Sequence, residues 1–307
     1  MNVLITGCAG FIGSHAVEGF LKSGHKVVGV DCLTYAGKLH NMSTFLDDID
    51  FYKEDIADHS TMMRIVADHN IDWIVNFAAE SHVDNSINSS GKFLHSNING
   101  VHSLLEVCRE LGCNLFQIST DEVYGSIKEG SFVESDKLNP RNPYSATKAA
   151  AEHLVTSYYN TYGLDYKMVR MSNNFGPRQN KEKFIPTILK SLASNKKIPI
   201  YGDGKNIRDW FYVKDCVSCI VEIFNNGSRN EVYNLSLLNE KENLEVVSML
   251  LEILEKPFDE NAEFVEDRLG HDFRYSINND KLIKLKKMTP TDFETSLRET
   301  IRYYNSK

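Results

Sequence analysis

The sequence has no excess of basic residues. Its 307 residues include 34 lysines and arginines against 42 aspartates and glutamates, which gives a formal net charge of -8 at pH 7. Non-specific binding of nucleic acid requires a basic face, so this composition argues against that class of function. We expect no nucleic-acid partner, and a bound phosphate group would need a local basic pocket.

Long apolar runs and clustered cysteines are also lacking. A membrane-spanning helix needs roughly 20 apolar residues, and neither such a run nor the basic start of a signal peptide occurs. The six cysteines are scattered, as is usual in reducing compartments. We interpret Cys216 and Cys219 as neighbours on one helical turn, with a metal or redox site as the alternative. We therefore expect a cytoplasmic protein without a membrane partner or a metal.

At its start the sequence has a glycine-rich loop between a short strand and a helix. Gly7, Gly10 and Gly13 follow the apolar residues 3–6, and a second strand ends at Asp31. The first glycine permits a tight turn, the second lets the backbone approach a pyrophosphate, and the third lets helix pack closely on strand. This context predicts a dinucleotide-binding unit. The Asp31 carboxylate would accept from ribose hydroxyls and repel a 2′-phosphate, which favours NAD over NADP.

Strand and helix patterns alternate through the first half of the chain. Six predicted strands, the last at Tyr166–Met171, interleave with helices and indicate an α/β fold with a doubly wound parallel sheet of the Rossmann type. After Ser172 the sequence becomes rich in turns. We expect a dinucleotide-binding domain of residues 1–172 and a smaller α/β lobe of residues 173–307 that covers the crevice, with about residues 205–235 able to return to the first domain.

Two local features are predicted in the second half. Residues 199–204 place two glycines among turn residues and indicate a hairpin-like loop. Asn243 stands at the start of an amphipathic helix and is predicted to be its cap.

The residues after Ser119 concentrate reactive side chains. The apolar residues 115–118 predict a buried strand, so Thr120, Asp121 and Glu122 would lie at its carboxyl end. In an open parallel sheet that end is where ligands bind. Adjacent residues of a strand point to opposite faces, so both acids reach one ligand only if the strand has ended and turned. If the strand continues, one of them is a solvated loop charge.

A helix predicted to begin at Pro143 carries the next reactive pair. Asn142 is its predicted cap, and Tyr144 and Lys148 are spaced i and i+4, on one helical face. An ammonium group beside a phenol favours the phenolate and lowers the tyrosine pKa, which suits a general base. Two carboxyl groups, a phenol and a lysine are therefore expected to converge on one crevice.

These features together resemble the extended short-chain dehydrogenase/reductases that act on nucleotide sugars. Within them the sequence is most similar to the NDP-glucose 4,6-dehydratases, whose best-known member uses dTDP-glucose. Besides the glycine loop, the segments that carry the likeness are residues 31–37, 78–84, 120–125, 143–148 and 267–272. The resemblance implies a lyase with NAD as cofactor and a nucleotide sugar as substrate. It also implies a homodimer in which the helices near Gly91–Leu111 and Pro143–Tyr162 pair across a two-fold axis.

The resemblance further implies roles for individual residues by position. In addition to the glycines, the residues that match NAD contacts are Phe11, Ile12, Asp31, Thr34, Asp55, Ile56, Ala78, Ala79, Ser81, Ser96, Tyr144, Lys148 and Asn174. Those that match substrate contacts are Ser81, Thr120, Asn173, Lys183, Arg208, Asn243, Arg268 and His271.

The same likeness implies a reaction in three parts. Tyr144, with Lys148 and Thr120 beside it, takes the 4-hydroxyl proton while C4 gives hydride to NAD. Glu122 then removes the C5 proton, and Asp121, kept protonated by burial and by its carboxylate neighbour, donates to the departing 6-hydroxyl. Hydride then returns from NADH to C6 and C5 is reprotonated, so NAD ends unchanged.

Alternative functions remain open from the sequence. A nucleotide-sugar 4-epimerase or a UDP-glucuronate decarboxylase of the same fold needs Tyr144 and Lys148 but no acid for a leaving hydroxyl, so Asp121 is the discriminating residue. A non-catalytic NAD-sensing regulatory protein would need none of the three. Arg208 is expected to hold the diphosphate, with a surface pair to Asp209 as the alternative. The sequence does not decide between uracil and thymine.

Overall fold

The computed structural model describes residues 1–267 and 272–306. Its strands are β1 (Asn2–Thr6), β2 (Lys26–Val30), β3 (Asp50–Tyr52), β4 (Trp73–Asn76), β5 (Asn114–Thr120), β6 (Tyr166–Met171), β7 (Asn173–Phe175), β8 (Ile198–Tyr201), β9 (Ile207–Tyr212), β10 (Glu231–Leu235), β11 (Glu240–Glu242) and β12 (Ala262–Val265). Its helices are α1 (Phe11–Lys22), α2 (His59–Asp68), α3 (Val83–Asn88), α4 (Gly91–Phe93), α5 (Gly100–Leu111), α6 (Pro143–Tyr162), α7 (Phe184–Ala193), α8 (Val213–Asn226), α9 (Asn243–Ile253), α10 (Phe258–Asn261), α11 (Asp280–Leu285) and α12 (Phe293–Asn305).

The central sheet has seven parallel strands in the order β10-β6-β5-β4-β1-β2-β3. The strands β1, β4 and β5 are buried almost throughout, because helices cover both faces of the sheet. The prediction of a doubly wound α/β sheet is confirmed. The predicted number of six strands is wrong, because β10 comes from the second half of the chain and pairs with β6.

Two hydrophobic clusters flank the sheet. On one face α1 packs against α8, and the rings of Phe20 and Phe224 meet with centroids 4.8 Å apart. On the other face α2 and α6 pack against α5. The segments that join these helices to the strands therefore emerge at the two ends of the sheet, and the carboxyl ends of the strands form one edge of a crevice.

The helical run over residues 91–111 is not a regular α-helix. Between α4 and α5 the segment Leu94–Asn99 forms a π-helix, a wider turn that is frequent at functional sites. The run ends at Gly112, which has a φ of 75°, the left-handed conformation that terminates many helices.

The remaining strands build the smaller sheets of the second lobe. The strands β7, β9 and β11 form a three-stranded sheet, and β8 pairs in parallel with β12. The hairpin predicted at residues 199–204 is therefore wrong: the partner of β8 comes from far along the chain. The predicted cap is also wrong, since Asn243 is the first residue of α9 and Glu242 holds the cap position.

Cys216 and Cys219 are packed as ordinary neighbours on one helix. All six cysteines are free thiols, and Cys216 and Cys219 are buried on α8, which confirms that they share a helix. Within residues 1–267 and 272–306, no helix is both long and apolar enough to cross a membrane, and no group of three or more potential metal ligands occurs.

Candidate active site

The glycine loop joins β1 to α1 as a tight cradle. Gly7 has a φ of 67°, and a side-chain carbon on Gly13 would lie 2.1 Å from the carbonyl oxygen of Gly7. Helix α1 begins at Phe11 behind Gly10, with no side-chain cap and no acid in its first turn. The main-chain N–H groups at this helix start are therefore suited to a phosphate, and the cradle fits the pyrophosphate of a dinucleotide.

Asp31 lies directly beyond β2 and contacts the same loop. Its Oδ2 accepts from the N–H of Ala9 at 3.0 Å, and its Oδ1 accepts from the N–H of Leu33 at 2.7 Å. Burial raises the pKa of Asp31, and the two N–H groups oppose that rise. Each carboxylate oxygen keeps a lone pair, which is what acceptance from ribose hydroxyls requires.

The other cofactor candidates follow the adjacent strand ends. Asp55 lies beyond β3, and its Oδ2 contacts Nε2 of His95 at 2.9 Å. Beyond β4, the N–H of Ala78 donates to the hydroxyl of Thr6 at 3.3 Å. The carbonyl of Ser81 accepts from Nζ of Lys183 at 3.0 Å, which joins this edge to the second lobe. The remaining candidates on this edge are Phe11 and Ile12 in the first turn of α1, exposed Thr34, buried Ile56, Ala79, and Ser96 in the π-helix.

Sequence reasoning missed Asn97, which lies in the π-helix. Its side chain accepts from the N–H of Glu80 at 2.9 Å and donates to the Glu80 carbonyl at 3.0 Å and to the hydroxyl of Thr147 at 2.9 Å. It therefore fixes the segment after β4 against α6. The only sequence signal was a polar residue at a position that the helix buries.

The strand β5 ends at Thr120, and Asp121–Tyr124 forms a 3₁₀ turn. The N–H of Glu122 donates to Oγ1 of Thr120 at 3.3 Å, which closes this turn. The alternation of a strand therefore stops before the two acids. The alternative in which β5 continues through them is excluded.

Asp121 is a buried acid that keeps an unsatisfied oxygen. It is 4% exposed, and within the described part of the chain its Oδ2 has no hydrogen-bond partner. Burial, with the negative charges of Glu122 and Asp209, raises the pKa of Asp121 well above its ordinary value, although Arg208 opposes this. The expected rise from burial and a carboxylate neighbour is confirmed.

Tyr144 and Lys148 lie on α6 beside this turn, and both are buried. Burial and the charge of Glu122 raise the pKa of Tyr144, while its hydrogen bond with Thr120 opposes the rise. The expectation that Lys148 lowers this pKa is wrong. Nζ of Lys148 donates instead to the carbonyl of Ile118 at 2.6 Å, and burial lowers the pKa of the ammonium to about 8.

A cavity of about 500 Å³ opens between the second lobe and the segments of Glu122 and Asn142, and its lining does not include Asp121, Tyr144 or Lys148. Its polar wall includes Glu122, Asn173, Lys183, Arg208 and Asn243. Its apolar wall is formed by side chains of α7, β8 and α9, among them Ile188, Ile200 and Val247. A polar group and an apolar ring can therefore be accommodated in the same elongated space.

Arg208 is held by main-chain oxygens. Its guanidinium donates to the carbonyls of Ile207 at 2.7 Å, Asp272 at 2.9 Å and Phe273 at 3.3 Å, and it lies 4.5 Å from the ring centroid of Tyr275. The alternative of a pair with Asp209 is wrong, because that carboxylate accepts from the N–H groups of Leu237 and Asn239. The positive charge of Arg208 therefore faces the cavity, and among residues 1–267 and 272–306 no carboxylate bonds to its guanidinium.

Four further candidates complete the predicted set. Asn173 and Asn174 on β7 each have a buried Oδ1 without a hydrogen-bond partner in the described residues. Arg268 and His271 lie outside the described residues, so their predicted roles stay predictions.

A Rossmann sheet with a tyrosine and a lysine at its ligand edge defines a class, the NAD-dependent short-chain dehydrogenase/reductases. The model of the family described as GDP-mannose 4,6 dehydratase matches residues 4–300, and the chain belongs to this family. It is 45% identical to the low-salt glycan biosynthesis protein Agl12 of Haloferax volcanii, over 99% of this chain and 98% of that protein. It is 38% identical to dTDP-glucose 4,6-dehydratase of Xanthomonas campestris, over 98% of this chain and 92% of that protein.

Solved structures give the same class. DesIV, a dTDP-glucose 4,6-dehydratase from Streptomyces venezuelae with NAD bound, matches with a TM-score of 0.95 at 37% identity, over 100% of this chain and 98% of that one. A UDP-glucose 4-epimerase from Thermotoga maritima has a TM-score of 0.92 at 28% identity, over 100% and 99%. The fold is shared by both activities, and the sequence similarity is greater to the dehydratase.

Proposed function

We propose that this protein is an NAD-dependent NDP-glucose 4,6-dehydratase. It converts dTDP-glucose or UDP-glucose to the 4-keto-6-deoxy sugar nucleotide by C4 oxidation, elimination of water across C5 and C6, and return of hydride to C6. The observation that carries this proposal is the turn after β5, where buried Asp121 and cavity-lining Glu122 adjoin Tyr144.

Elimination needs an acid and a base on neighbouring carbons. A 6-hydroxyl leaves as water only if it receives a proton, and the C5 hydrogen must be removed by a base. Asp121, with its raised pKa, is suited to donate that proton, and Glu122 is suited to remove the C5 hydrogen once C4 is a ketone. A 4-epimerase has no use for such an acid.

The first step is assigned to Tyr144, which takes the 4-hydroxyl proton while Thr120 holds the phenol oxygen. Lys148 is fixed one turn further along α6 by its bond to the carbonyl of Ile118, and it is assigned to the cofactor. NAD, when bound, would supply the hydride acceptor and donor. The residues proposed to hold it are the glycine cradle, Asp31 and the candidates at the ends of β3 and β4.

The cavity supports a sugar-nucleotide ligand with its diphosphate at Arg208. A guanidinium held by carbonyls can still bind phosphate oxygens in a bidentate manner. Ser81, Thr120, Asn173, Lys183 and Asn243 are assigned to the remaining polar groups. Thymine and uracil differ by one methyl, which a pocket distinguishes by only about 1–3 kcal/mol.

We also propose the division of the chain, its assembly and its location. Residues 1–172 form the NAD-binding domain, completed by the helix α8 and the strand β10, and the rest forms the sugar-nucleotide lobe. Three exposed large side chains lie on two helical segments: Leu94 within residues 91–111, and Tyr159 and Tyr162 on α6. They support a homodimer through that face. A monomeric mass in solution would contradict it. Free thiols throughout support a cytoplasmic protein.

The purified protein with NAD, incubated with dTDP-glucose and separately with UDP-glucose, tests the function. The expected product is a 4-keto-6-deoxy sugar nucleotide, identified by NMR, without net NADH. A C4 epimer would indicate an epimerase. Decarboxylation of UDP-glucuronate would indicate a decarboxylase, and binding of NAD without any turnover would indicate a sensor.

The Asp121→Asn variant tests the assigned acid. General acid catalysis contributes roughly 10²–10⁴-fold, so elimination should slow by that factor while C4 oxidation persists, and bound NADH should accumulate in a single turnover. The control is Asp47→Asn at an exposed turn, which should behave as wild type. Equal slowing of oxidation and elimination would contradict the assignment.

A further inference from the structure

Asn142, the residue before α6, makes hydrogen bonds through both ends of its amide. Its Oδ1 accepts from the N–H of Ser145 at 2.8 Å, and its Nδ2 donates to Oε2 of Glu122 at 3.2 Å. The N–H of Asn142 in turn donates to the Ser145 hydroxyl at 3.3 Å, which completes a capping box. One side chain therefore starts the helix of Tyr144 and holds the carboxylate of Glu122.

The orientation of this amide is determined by its two partners. The Ser145 N–H requires an acceptor and the Glu122 carboxylate requires a donor, so the flipped amide would lose both bonds. The capping bond at the helix start therefore orients the amide so that Nδ2 points to Glu122. An asparagine here does more than cap, because serine or aspartate would cap equally well but would lack the amide N–H that reaches Glu122.

Glu122 faces charged and neutral groups from several elements, and Asn142 is the neutral group that donates a hydrogen bond to it. Asp121 adjoins it on the same turn, Lys183 and Arg208 approach from the second lobe, and Asp272 lies beyond them. The phenols of Tyr144 and Tyr275 also face it. Burial raises the pKa of Glu122, and the Asn142 hydrogen bond is the first of the influences that oppose this rise.

We infer that Asn142 is a positioning residue for the removal of the C5 proton, an inference that rests on the proposed function. By holding Oε2 it presents Oε1 of Glu122 to the substrate and fixes it relative to Tyr144, two residues further along. Tyr144 and Glu122 act on adjacent carbons of one ring, so their spacing must be constant between the two steps. A displacement of about 1 Å in such a constellation can cost roughly a hundredfold in rate.

Two capping substitutions test the inference. Asn142→Ser keeps a cap oxygen and removes the donor, and Asn142→Asp keeps the cap and places a carboxylate against Glu122. Glu122 must be ionised to act as the base, so loss of the donor should move the acidic limb of kcat to higher pH. We expect an upward shift of roughly one unit in Asn142→Ser and a larger one in Asn142→Asp. Elimination should slow about tenfold or more, with NADH accumulating in single turnovers.

Ser145→Ala is the matched control, because it removes the reciprocal capping bond and leaves the amide at Glu122. It should lower the melting temperature without moving the acidic limb. If both Asn142 variants kept the wild-type acidic limb of the kcat profile and accumulated no NADH, the inference would be overturned while the proposed function would stand. An absence of turnover by the wild-type enzyme would overturn the proposed function itself, and this inference with it.

Discussion

Two buried acids near β5, Glu152 and Asp121, differ in the partners that their carboxyl groups have. Behind the strand, Glu152 on α6 accepts from Nε and Nη2 of Arg170, the latter at 2.7 Å, and from the hydroxyl of Ser119. At the end of the strand, Asp121 retains an oxygen without a partner in the described residues. The first acid is compensated by a cation, whereas burial and neighbouring carboxylates raise the pKa of the second.

The difference shows how the fold separates structural charge from reactive charge. A compensated pair contributes specificity and has little to offer a substrate, whereas an acid with a raised pKa costs folding free energy and gains a transferable proton. The cations repeat the contrast. Arg170 is bound to a carboxylate, while Arg208 and Lys148 donate to main-chain carbonyls and keep their charge for a ligand.

The largest expected effect comes from breaking the compensated pair. Arg170→Met leaves Glu152 buried and unpaired, so the free energy of unfolding should fall by about 3–5 kcal/mol, measured by urea denaturation. The double variant Arg170→Met/Glu152→Met should recover most of the loss, because no charge is left without a partner. A double variant as unstable as the single one would show that packing, not charge, holds this region.

The contrast also predicts a smaller effect at Arg208, the cation that is proposed to bind the substrate. Arg208→Lys loses the bidentate geometry and the stacking on Tyr275, so KM for the nucleotide sugar should rise about tenfold to a hundredfold with a lesser change in kcat. Arg298→Lys, in an exposed pair with Glu294 on α12, is the control and should leave KM unchanged. A fall in kcat alone would place Arg208 outside phosphate binding.

The smallest effect is a gain in stability at the reactive acid. The folded-state pKa of Asp121 is raised, so its penalty is absent below the unfolded pKa and grows as pH rises towards and through the folded value. Asp121→Asn removes this penalty and should melt a few degrees higher than wild type at neutral pH. The gain should vanish below about pH 3, where the unfolded carboxyl is also protonated. An equal gain at both pH values would point to packing instead.

The first half of the chain was predictable because its signals are local. Most of its parallel strands are followed by a helix, and the glycine spacing, the acid after β2 and the cap at Asn142 lie within a few residues of what they control. Both acids could reach one ligand only if the chain turned after β5, and the structure confirms this turn. The seventh strand was not predicted, because its pairing with β6 joins residues remote in sequence.

The strand pairing of the second lobe and the pKa shifts at the site depend on contacts between residues far apart in sequence, so they could not be predicted from local patterns. Ala262 pairs with Ile198, a contact that no local pattern reveals, and this is why the hairpin prediction was wrong. The pKa of Tyr144 follows from burial among carboxyl groups of other elements, whereas the i and i+4 spacing of Lys148 suggested the opposite direction. The bond from Asn142 to Glu122 likewise depends on how the turn after β5 meets α6.

The pairing of β10 with β6 has a consequence for synthesis on the ribosome. Until residue 235 has emerged, the strand Tyr166–Met171 is a sheet edge whose backbone groups are open on one side. The nascent chain carries this edge during translation of everything between the two strands, including much of the sugar-nucleotide lobe. Association of two unfinished chains through this edge is the misfolding route that the topology favours.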